Sequence, residues 1–278
     1  MPNMSLEQPI YALCAALLLL LTWPVKARAA DCPRADTLGT SRVLSVDAAS
    51  FPRVGLKSFP QTLPLKDHEV VLTFDDGPWP PTTPKVLKAL AAECVQATFF
   101  LVGKPASEHP TLVRRIAAEG HTVGTHTWQH RYFGHLKASE TTGEITHGIS
   151  AVEMALHGRA TTTPSTPFFR FPGFESTPAT LDFLQSRGII VFGTDIWASD
   201  WNSMTPKQEL KLLISRLEAA RKGIILLHDP RSPTAAMLPA FLRYLRENHY
   251  HVVHVVPAAP GVDFDRVSDQ KRGQAGGN

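Results

Sequence analysis

Short apolar stretches recur through most of the chain, and stretches whose apolar positions repeat with helical spacing separate them. The candidate strands are 69–74, 97–102, 121–125, 167–171, 189–194, 224–228 and 251–256. The candidate helices are 84–92, 110–119, 138–157, 178–187, 206–220 and 234–247. Continuous apolar runs of this length are typical of strands that are buried on both faces. Strands that alternate with helices in this way predict a parallel α/β sheet or barrel.

The two ends of the chain differ in composition from its middle. Residues 31–66 are rich in proline, and we expect them to form an irregular N-terminal extension. This extension would lie over a folded domain of residues 67–257. Residues 258–278 are polar and end in a glycine-rich sequence, which predicts a disordered tail. The total of 278 residues suits one domain of barrel size.

Residues 1–30 predict a secretory signal peptide. Residues 10–25 are apolar, and the small residues Ala27, Ala29 and Ala30 follow them. The apolar stretch is short for a membrane span, so we expect cleavage near Ala29 or Ala30. The protein would then be exported to the periplasm or the exterior of a bacterial cell. Because residues 1–10 contain no lysine or arginine, an uncleaved membrane anchor stays open as the alternative.

Composition and charge exclude several classes of partner. Apolar residues make up 43% of the chain, which is enough for a substantial core. The formal net charge of +3 is too small to predict nucleic-acid binding. No long basic run is present, so we expect membrane contact only through the N-terminal segment if that segment is not cleaved.

Only Cys32 and Cys94 would remain after removal of the signal peptide. An exported compartment permits a disulfide between them. Cys94 follows a candidate helix, however, and buried cysteines without a disulfide are common. We therefore expect two unpaired thiols, although the sequence leaves the pairing open.

Two adjacent carboxylates, Asp75 and Asp76, end the first candidate strand, and Gly77 and Pro78 then turn the chain. Like charges at this distance resist joint ionisation unless a cation lies nearby. One carboxylate could therefore bind a metal while the other acts as a base. The alternative is an ordinary solvated turn, because Asp, Gly and Pro are typical turn residues.

A histidine pair follows the third candidate strand. His126 and His130 are four residues apart, and this spacing predicts that they share one face of a helical turn. Two imidazoles placed in this way can bind one metal. Together with one carboxylate they form a common open zinc site, in which the fourth position is left for water.

Three more polar segments lie at the ends of candidate strands, at 169–173, 195–201 and 225–229. In this order with the acidic and histidine motifs, they resemble the polysaccharide deacetylase family, also called the NodB homology domain or carbohydrate esterase family 4. The resemblance covers about residues 68–257. It implies a distorted (β/α) barrel of about seven parallel strands. Its site would lie at the C-terminal strand ends, as is usual for barrels.

The resemblance also implies a role for each polar residue of these motifs. The metal ligands would be Asp76, His126 and His130. Asp75 would be the general base, and Arg170 would orient it through its planar fork of donors. His228 would be the general acid, which suits a side chain that titrates near neutral pH. Asp200 would orient that histidine and stabilise its protonated form.

Four residues match positions that face the substrate in the family. Trp201 would form part of a wall against the sugar, and Leu226 would line a pocket for the acetyl methyl group. Pro172 and Gly173 belong to a loop whose backbone N–H is a candidate oxyanion donor. The family usually has an aromatic residue where this chain has Gly173, so we expect no side-chain contact from that position.

The implied activity is metal-dependent hydrolysis of N-acetyl groups from an amino-sugar polymer or oligosaccharide. The substrate would be a chitin-like glycan, poly-N-acetylglucosamine or peptidoglycan. Alternatives are an amidase that acts on a small non-glycan amide, an O-acetyl xylan esterase, and a binding module without activity. Histidine and carboxylate ligands suit zinc best, although cobalt, nickel or iron would also fit. The expected partner is the N-acetylated glycan.

Overall fold

The computed structural model describes Cys32 and residues 36–258, which form ten strands and seven α-helices. The strands are β1 (Thr40–Val46), β2 (Arg53–Val54), β3 (Glu69–Asp75), β4 (Thr98–Leu101), β5 (Thr122–Thr125), β6 (Phe168–Phe169), β7 (Ile190–Phe192), β8 (Ile196–Trp197), β9 (Gly223–His228) and β10 (His251–Pro257). The helices are α1 (Thr83–Ala92), α2 (Gly103–Glu108), α3 (Pro110–Ala118), α4 (Ala138–His157), α5 (Pro178–Gln185), α6 (Pro206–Ala220) and α7 (Ser232–Glu247). All the candidate strands and helices of the sequence are present.

The strands form one sheet in the order β1-β10-β3-β4-β5-β6-β7-β2, and β9 joins it between β3 and β8. Every pairing between these strands is parallel. Helices connect most of the consecutive strands, as parallel pairing requires. The prediction of a distorted α/β barrel with parallel strands is therefore confirmed.

The N-terminal segment differs from its prediction as an irregular extension. Residues 40–46 form β1, which pairs in parallel with β10. Val46 and Val54 are buried in the core that the strands enclose. The sequence did not indicate this, because the pairing partner of β1 lies more than 200 residues further along the chain.

The hydrophobic core consists of three clusters, and the side chains of β3 divide between two of them. Val70, Leu72 and Phe74 of β3 pack against the helices, whereas Val71 lies in the core enclosed by the strands. Successive strand residues point to opposite faces. The inner row of β3 therefore continues from Val71 through Thr73 to Asp75.

The register between β3 and β9 fixes the position of two polar side chains. Thr73 lies opposite Leu226, and Asp75 lies opposite His228. Both strands end at this level, where the apolar inner core gives way to solvent. The sheet therefore delivers a carboxylate and an imidazole side by side to the C-terminal end of the barrel.

Local sequence explains where several helices begin. Proline occupies the first turn of α1, α3, α5 and α6, where a missing backbone N–H costs little. Thr177 and Thr205 cap α5 and α6 by accepting hydrogen bonds from Thr180 N and Gln208 N. These caps hold the loops that precede the two helices, and both loops come from the strand ends around the site.

Cys32 and Cys94 form a disulfide, so the expectation of two unpaired thiols was wrong. The bond attaches the start of the described chain to the residues that follow α1. Among the described helices, none is both long enough and apolar enough to cross a membrane. The predicted signal peptide and nearly all of the predicted tail lie outside the described residues.

Candidate active site

The two adjacent carboxylates occupy the end of β3. Asp75 is the last residue of the strand, and Asp76 has a left-handed backbone conformation with φ of 75°. This conformation turns the Asp76 side chain toward the same space as that of Asp75. A side chain at Gly77 would overlap the carboxylate of Asp229, so only glycine allows this close approach.

His126 and His130 lie in the loop after β5, and the predicted helical turn was wrong. Thr127 and His130 both have positive φ, at 67° and 58°, which no helix accommodates. The loop is held by a hydrogen bond from His130 N to Thr127 Oγ1 at 3.0 Å. The Nδ1 of His126 lies 2.7 Å from the backbone oxygen of Arg170. This contact leaves Nε2 of His126 free to face the carboxylates, as is usual for a metal-binding histidine.

The three predicted metal ligands converge. Asp76 Oδ1 lies 3.4 Å from His126 Nε2 and 3.2 Å from His130 Nε2. The ligand atoms of all three side chains lie within 4.8 Å of one another. Asp76 Oδ1 is buried and accepts no hydrogen bond from any described residue. A buried, unsatisfied carboxylate oxygen that faces two imidazoles suits a divalent cation, and this ligand set is typical of an open zinc site.

The charge on Asp76 favours the binding of a cation by these three residues. Burial opposes ionisation of Asp76, but the imidazoles of His126 and His130 outweigh burial and hold the pKa of Asp76 well below its usual range. Burial lowers the pKa of His130, but the neighbouring Asp76 carboxylate reverses this effect and raises it. The carboxylate is therefore ionised at neutral pH, as a metal ligand must be.

Asp75 is held by Arg170. Nη1 of Arg170 donates to Asp75 Oδ1 at 2.7 Å and to Thr73 Oγ1 at 2.8 Å. Nε and Nη2 donate to the backbone oxygens of Phe192 and Gly193 at 3.2 and 2.8 Å. Burial lowers the pKa of the Arg170 guanidinium, an effect that the charge of Asp75 opposes. Arginine nevertheless stays charged in proteins, so Asp75 has a permanent cationic partner.

The free oxygen of Asp75 faces the metal ligands. Asp75 Oδ2 lies 3.8 Å from His126 Nε2. Because Oδ1 is occupied by Arg170, Oδ2 is the atom of this carboxylate that can accept a further proton. The Asp75 carboxylate therefore lies beside the three predicted metal ligands, and its role as a base stays a prediction.

His228 and Asp200 form a second buried pair. Nδ1 of His228 lies 2.8 Å from Asp200 Oδ1, and the His228 backbone N–H donates to Oδ2 at 2.7 Å. Thr234 Oγ1 also donates to Oδ2, at 2.8 Å. Burial lowers the pKa of His228, but the hydrogen bond to Asp200 outweighs burial and raises it to about 9. The imidazole is therefore protonated at neutral pH, and its Nε2 lies 4.0 Å from Asp76 Oδ2.

One cavity of about 420 Å³ is lined by Asp75, Asp76, His126, His130 and His228. The two partner residues, Arg170 and Asp200, do not line it. Its size is within the range of small-molecule sites. The predicted substrate-facing residues Trp201, Leu226 and Gly173 line it, but Pro172 does not. Pro172 is instead buried in a short 3-10 helix, Pro172–Phe174. Pro172 therefore does not contribute to the cavity wall, and its contact with a substrate stays a prediction.

The cavity wall also includes residues that the sequence analysis did not single out. Tyr132, Phe174 and Arg231 are the main ones, and each lies on a loop next to a motif. The ring of Tyr132 occupies the space that a side chain at Gly173 would need, with Cε1 2.5 Å from an added Cβ. Tyr132 thus accounts for the glycine at a position where the family usually has an aromatic residue. The sequence shows only that a tyrosine lies two residues after His130, and this alone did not indicate the contact.

Comparison with known proteins agrees with these motifs. Residues 63–191 match the family model described as polysaccharide deacetylase. A peptidoglycan-N-acetylglucosamine deacetylase of Bacillus cereus is 30% identical over 215 residues, which cover 73% of this chain and 76% of that protein. The structure of a Bdellovibrio bacteriovorus peptidoglycan deacetylase superposes with a TM-score of 0.71 at 29% identity. That superposition covers 84% of this chain and 63% of the other.

Other relatives are much longer than this chain. A peptidoglycan-N-acetylglucosamine deacetylase of Listeria monocytogenes is 29% identical over 189 residues, which cover 68% of this chain but only 38% of that protein. The residues that match the family model, 63–191, include the acidic and histidine motifs. The extent of the Bacillus match and the matching family model together establish that this chain belongs to the polysaccharide deacetylase family.

Proposed function

We propose that this protein is a metal-dependent hydrolase that removes N-acetyl groups from an amino-sugar glycan, and that peptidoglycan is its substrate. The observation that carries the proposal is the pairing of Asp75 with His228 across the β3–β9 register. Asp75 and His228 line one cavity with Asp76, His126 and His130, and this supports their assignment as base and acid. Amide hydrolysis needs these two functions at opposite sides of one carbonyl group.

The proposed metal ligands are Asp76, His126 and His130. A divalent cation held there would polarise the acyl carbonyl and increase the acidity of water. Zinc suits two imidazoles and one carboxylate best, and cobalt, nickel or iron would also fit. The hydrogen bond of His126 Nδ1 with the Arg170 backbone oxygen would fix the orientation of the ring toward the ion.

Asp75 would act as the general base through Oδ2. Arg170 occupies Oδ1, so a proton from the attacking water has one acceptor position on this carboxylate. The water oxygen adds to the acyl carbon, and Asp75 takes the proton that is released. The buried guanidinium of Arg170 keeps the Asp75 carboxylate oriented before this step.

His228 would act as the general acid through Nε2. Burial opposes its charge, but the hydrogen bond to Asp200 outweighs burial and holds it as an imidazolium at neutral pH. When the carbon–nitrogen bond breaks, Nε2 gives its proton to the leaving amine. The products are acetate and a free amino sugar, and His228 is left neutral. An amine is a poor leaving group, so this protonation matters more for an amide than for an ester.

The cavity walls support a sugar substrate. Trp201 and Tyr132 are exposed at its rim, and exposed aromatic faces of this kind are typical of ligand-binding grooves. Leu226 lies deeper in the wall and offers an apolar surface to the acetyl methyl group. The backbone N–H near Gly173 is a candidate donor to the developing oxyanion. Peptidoglycan is favoured among N-acetylated glycans because the Bacillus and Bdellovibrio relatives are named for it.

The predicted signal peptide, residues 1–30, supports an exported location for this activity. Peptidoglycan lies outside the bacterial inner membrane, and so would the enzyme. The disulfide between Cys32 and Cys94 agrees with an oxidising compartment. Export, periplasmic or extracellular, is therefore part of the proposal.

Acetate release by the purified protein tests the proposal. The metal is removed with a chelator and zinc or cobalt is added back, with peptidoglycan and chitooligosaccharides offered side by side. We expect release only with metal, and faster release from peptidoglycan. The Asp75→Asn variant should fold normally by circular dichroism and lose nearly all activity. Release without any divalent metal, or full activity of Asp75→Asn, would contradict the mechanism. Release from small amides alone would favour the amidase alternative.

A further inference from the structure

The histidine loop, residues 126–130, carries two of the three proposed metal ligands on an unusual backbone. Thr127 and His130 both have positive φ. Such conformations are uncommon for residues other than glycine, so they persist only where surrounding contacts fix them. The start of α2 supplies two of these contacts, because its backbone N–H groups donate to the carbonyls of Thr127 and Trp128 at 2.8 and 2.9 Å.

Glu144 on α4 supplies a third contact to the histidine loop. Its Oε2 accepts a hydrogen bond from Gln129 N at 2.8 Å. Glu144 is only 6% exposed, and Gln129 directly precedes the proposed ligand His130. A hydrogen bond from a backbone N–H to a carboxylate is stronger than one between neutral groups. Glu144 therefore holds the end of the loop at which one of the ligands is attached.

Gly148 lies one helical turn after Glu144 and brings α4 against the same loop. A Cβ at this position would lie 2.4 Å from the carbonyl carbon of Thr127, which is closer than any ordinary contact. Glycine inside a helix costs stability relative to alanine, so the close approach to the loop accounts for its presence. Residues four apart share one face of a helix. One face of α4 thus both bonds to the loop and packs directly on its backbone.

We propose that Glu144 and Gly148 are positioning residues of the metal site, which hold the histidine loop so that His126 and His130 face one ion. This inference rests on the proposed function and specifies what sets the metal affinity of that site. Neither positioning residue lines the cavity, so both act through the backbone of the loop. Ligands that are fixed before the ion arrives lose less conformational freedom on binding, and the ion is therefore bound more tightly.

Calorimetric titration of the metal-free protein with zinc tests the role of Glu144. Glu144→Met keeps the length of the side chain but removes the acceptor, and we expect the Kd for zinc to rise about tenfold. Glu144→Gln keeps an oxygen acceptor and should bind zinc nearly as tightly as the wild type. Its recovery would show that the hydrogen bond to Gln129 N is what matters.

Glu153→Met is the matched control. Glu153 lies on the same helix, is 5% exposed and accepts a hydrogen bond from Ser165 N at 2.7 Å. Ser165 belongs to a loop without a proposed ligand, so Glu153→Met should lower stability but leave the Kd for zinc unchanged. Equal Kd values for Glu144→Met and Glu153→Met would overturn the proposal, because Glu144 would then have only a general structural role.

A pair of glycine variants tests the packing of α4 independently, even if Glu144→Met does not fold. Gly148→Ala should displace the loop and raise the Kd for zinc about tenfold, although alanine favours the helix. Gly143 is on the same helix, and a Cβ there would meet no atom of the described residues within 4 Å. Gly143→Ala should therefore bind zinc as the wild type does. The same Kd for both glycine variants would also overturn the proposal.

Hydrogen exchange separates this inference from the proposed function. The exchange of the Gln129 amide, measured by NMR in the metal-free protein, requires neither zinc nor turnover. It should be faster in Glu144→Met than in the wild type and unaltered in Glu153→Met. If the wild type bound no zinc, the proposed function would fail, yet the exchange rates would still decide whether Glu144 holds the loop. An unchanged rate for Gln129 in Glu144→Met would reject the positioning role.

Discussion

Nη1 of Arg170 donates to Oδ1 of Asp75 across 2.7 Å, and the exposed fractions of the two side chains are 0% and 3%. The backbone oxygen of the same arginine lies 2.7 Å from Nδ1 of His126. One residue thus orients both the proposed base and a proposed metal ligand. A buried charge pair of this type is costly to break, because the charge that remains has no partner.

Replacing Arg170 by lysine should therefore reduce both stability and activity. Lysine lacks the planar fork, so it cannot bond Asp75 and also satisfy the carbonyls of Phe192 and Gly193. We expect Arg170→Lys to lower the free energy of unfolding by about 3 kcal/mol in urea titrations. The kcat for acetate release should fall as well. Arg115→Lys, in an exposed pair with Glu119, is the control and should change neither quantity. Unaltered stability of Arg170→Lys would show that the fork is not required.

Asp200→Asn should lower the pKa of His228. The hydrogen bond to Asp200 raises that pKa to about 9 against the effect of burial, so without the carboxylate burial dominates. Titration of the histidine ring signals by NMR in the metal-free protein measures the change directly. The kcat should fall by about a hundredfold, since a neutral imidazole cannot protonate the leaving amine. The control is Asp182→Asn, which alters an exposed carboxylate. A pKa of His228 that stays near 9 in Asp200→Asn would refute the pairing as its cause.

The order of strands and helices could be predicted from the sequence because apolar runs and their spacing reflect local geometry. The positions of Asp75 and His228 at strand ends followed from the same pattern. The loop that carries His126 and His130 could not be predicted, since its positive φ at Thr127 depends on distant contacts. Nor could β1 be predicted, because its partner β10 is remote in the sequence.

The walls of the cavity were also beyond sequence pattern alone. Tyr132, Phe174 and Arg231 come from three separate segments of the chain, and only the folded barrel brings them together. The fit of Tyr132 over Gly173 is a tertiary contact with no local signature. Asp75 and Asp76, in contrast, are adjacent at the end of one strand, so the sequence was sufficient to predict that they lie close together.

Acid should destabilise the protein through two buried histidines at the opposite side of the sheet. Burial lowers the pKa of His121 and His254 to about 4 each, and His254 adds to the effect on His121. In the unfolded chain both histidines have a pKa near the ordinary value of 6.5. As the pH falls, the unfolded state therefore binds protons at these residues before the folded state does. Their contribution to stability is therefore complete above pH 6.5 and is lost as the pH falls toward 4. The loss should be roughly 3 kcal/mol for each histidine.

Urea titrations between pH 7.5 and 4 measure this loss. In the His254→Gln variant the residue no longer titrates, so the slope of unfolding free energy against pH should become shallower over the whole window. His157→Gln, at an exposed position, should keep the slope of the wild type. An identical slope in His254→Gln would mean that the histidine pair does not control acid stability.

Reduction of the disulfide should lower stability without altering the active site. Cys32 and Cys94 are 62 residues apart, and cross-linking a loop of this size restricts the unfolded chain. The expected loss is about 3 kcal/mol in the free energy of unfolding, measured with and without reductant. Cys32→Ser and Cys94→Ser should each show the same loss, and reductant should have no further effect on either. A wild type that is insensitive to reductant would contradict the bond.

Zinc should stabilise the folded protein through Asp76, whose buried Oδ1 has no hydrogen-bond partner among the described residues. An ion that binds only the folded state adds about 2.7 kcal/mol at a concentration of one hundred times its Kd. We therefore expect zinc to raise the Tm of the metal-free wild type. In Asp76→Asn and His130→Gln this rise should be absent or much smaller, because each variant removes one of three ligands. His135→Gln alters an exposed histidine in the neighbouring 3-10 helix and should respond to zinc as the wild type does. A full rise in Tm for Asp76→Asn would place the ion elsewhere, since a carboxamide is a much weaker ligand for zinc than a carboxylate.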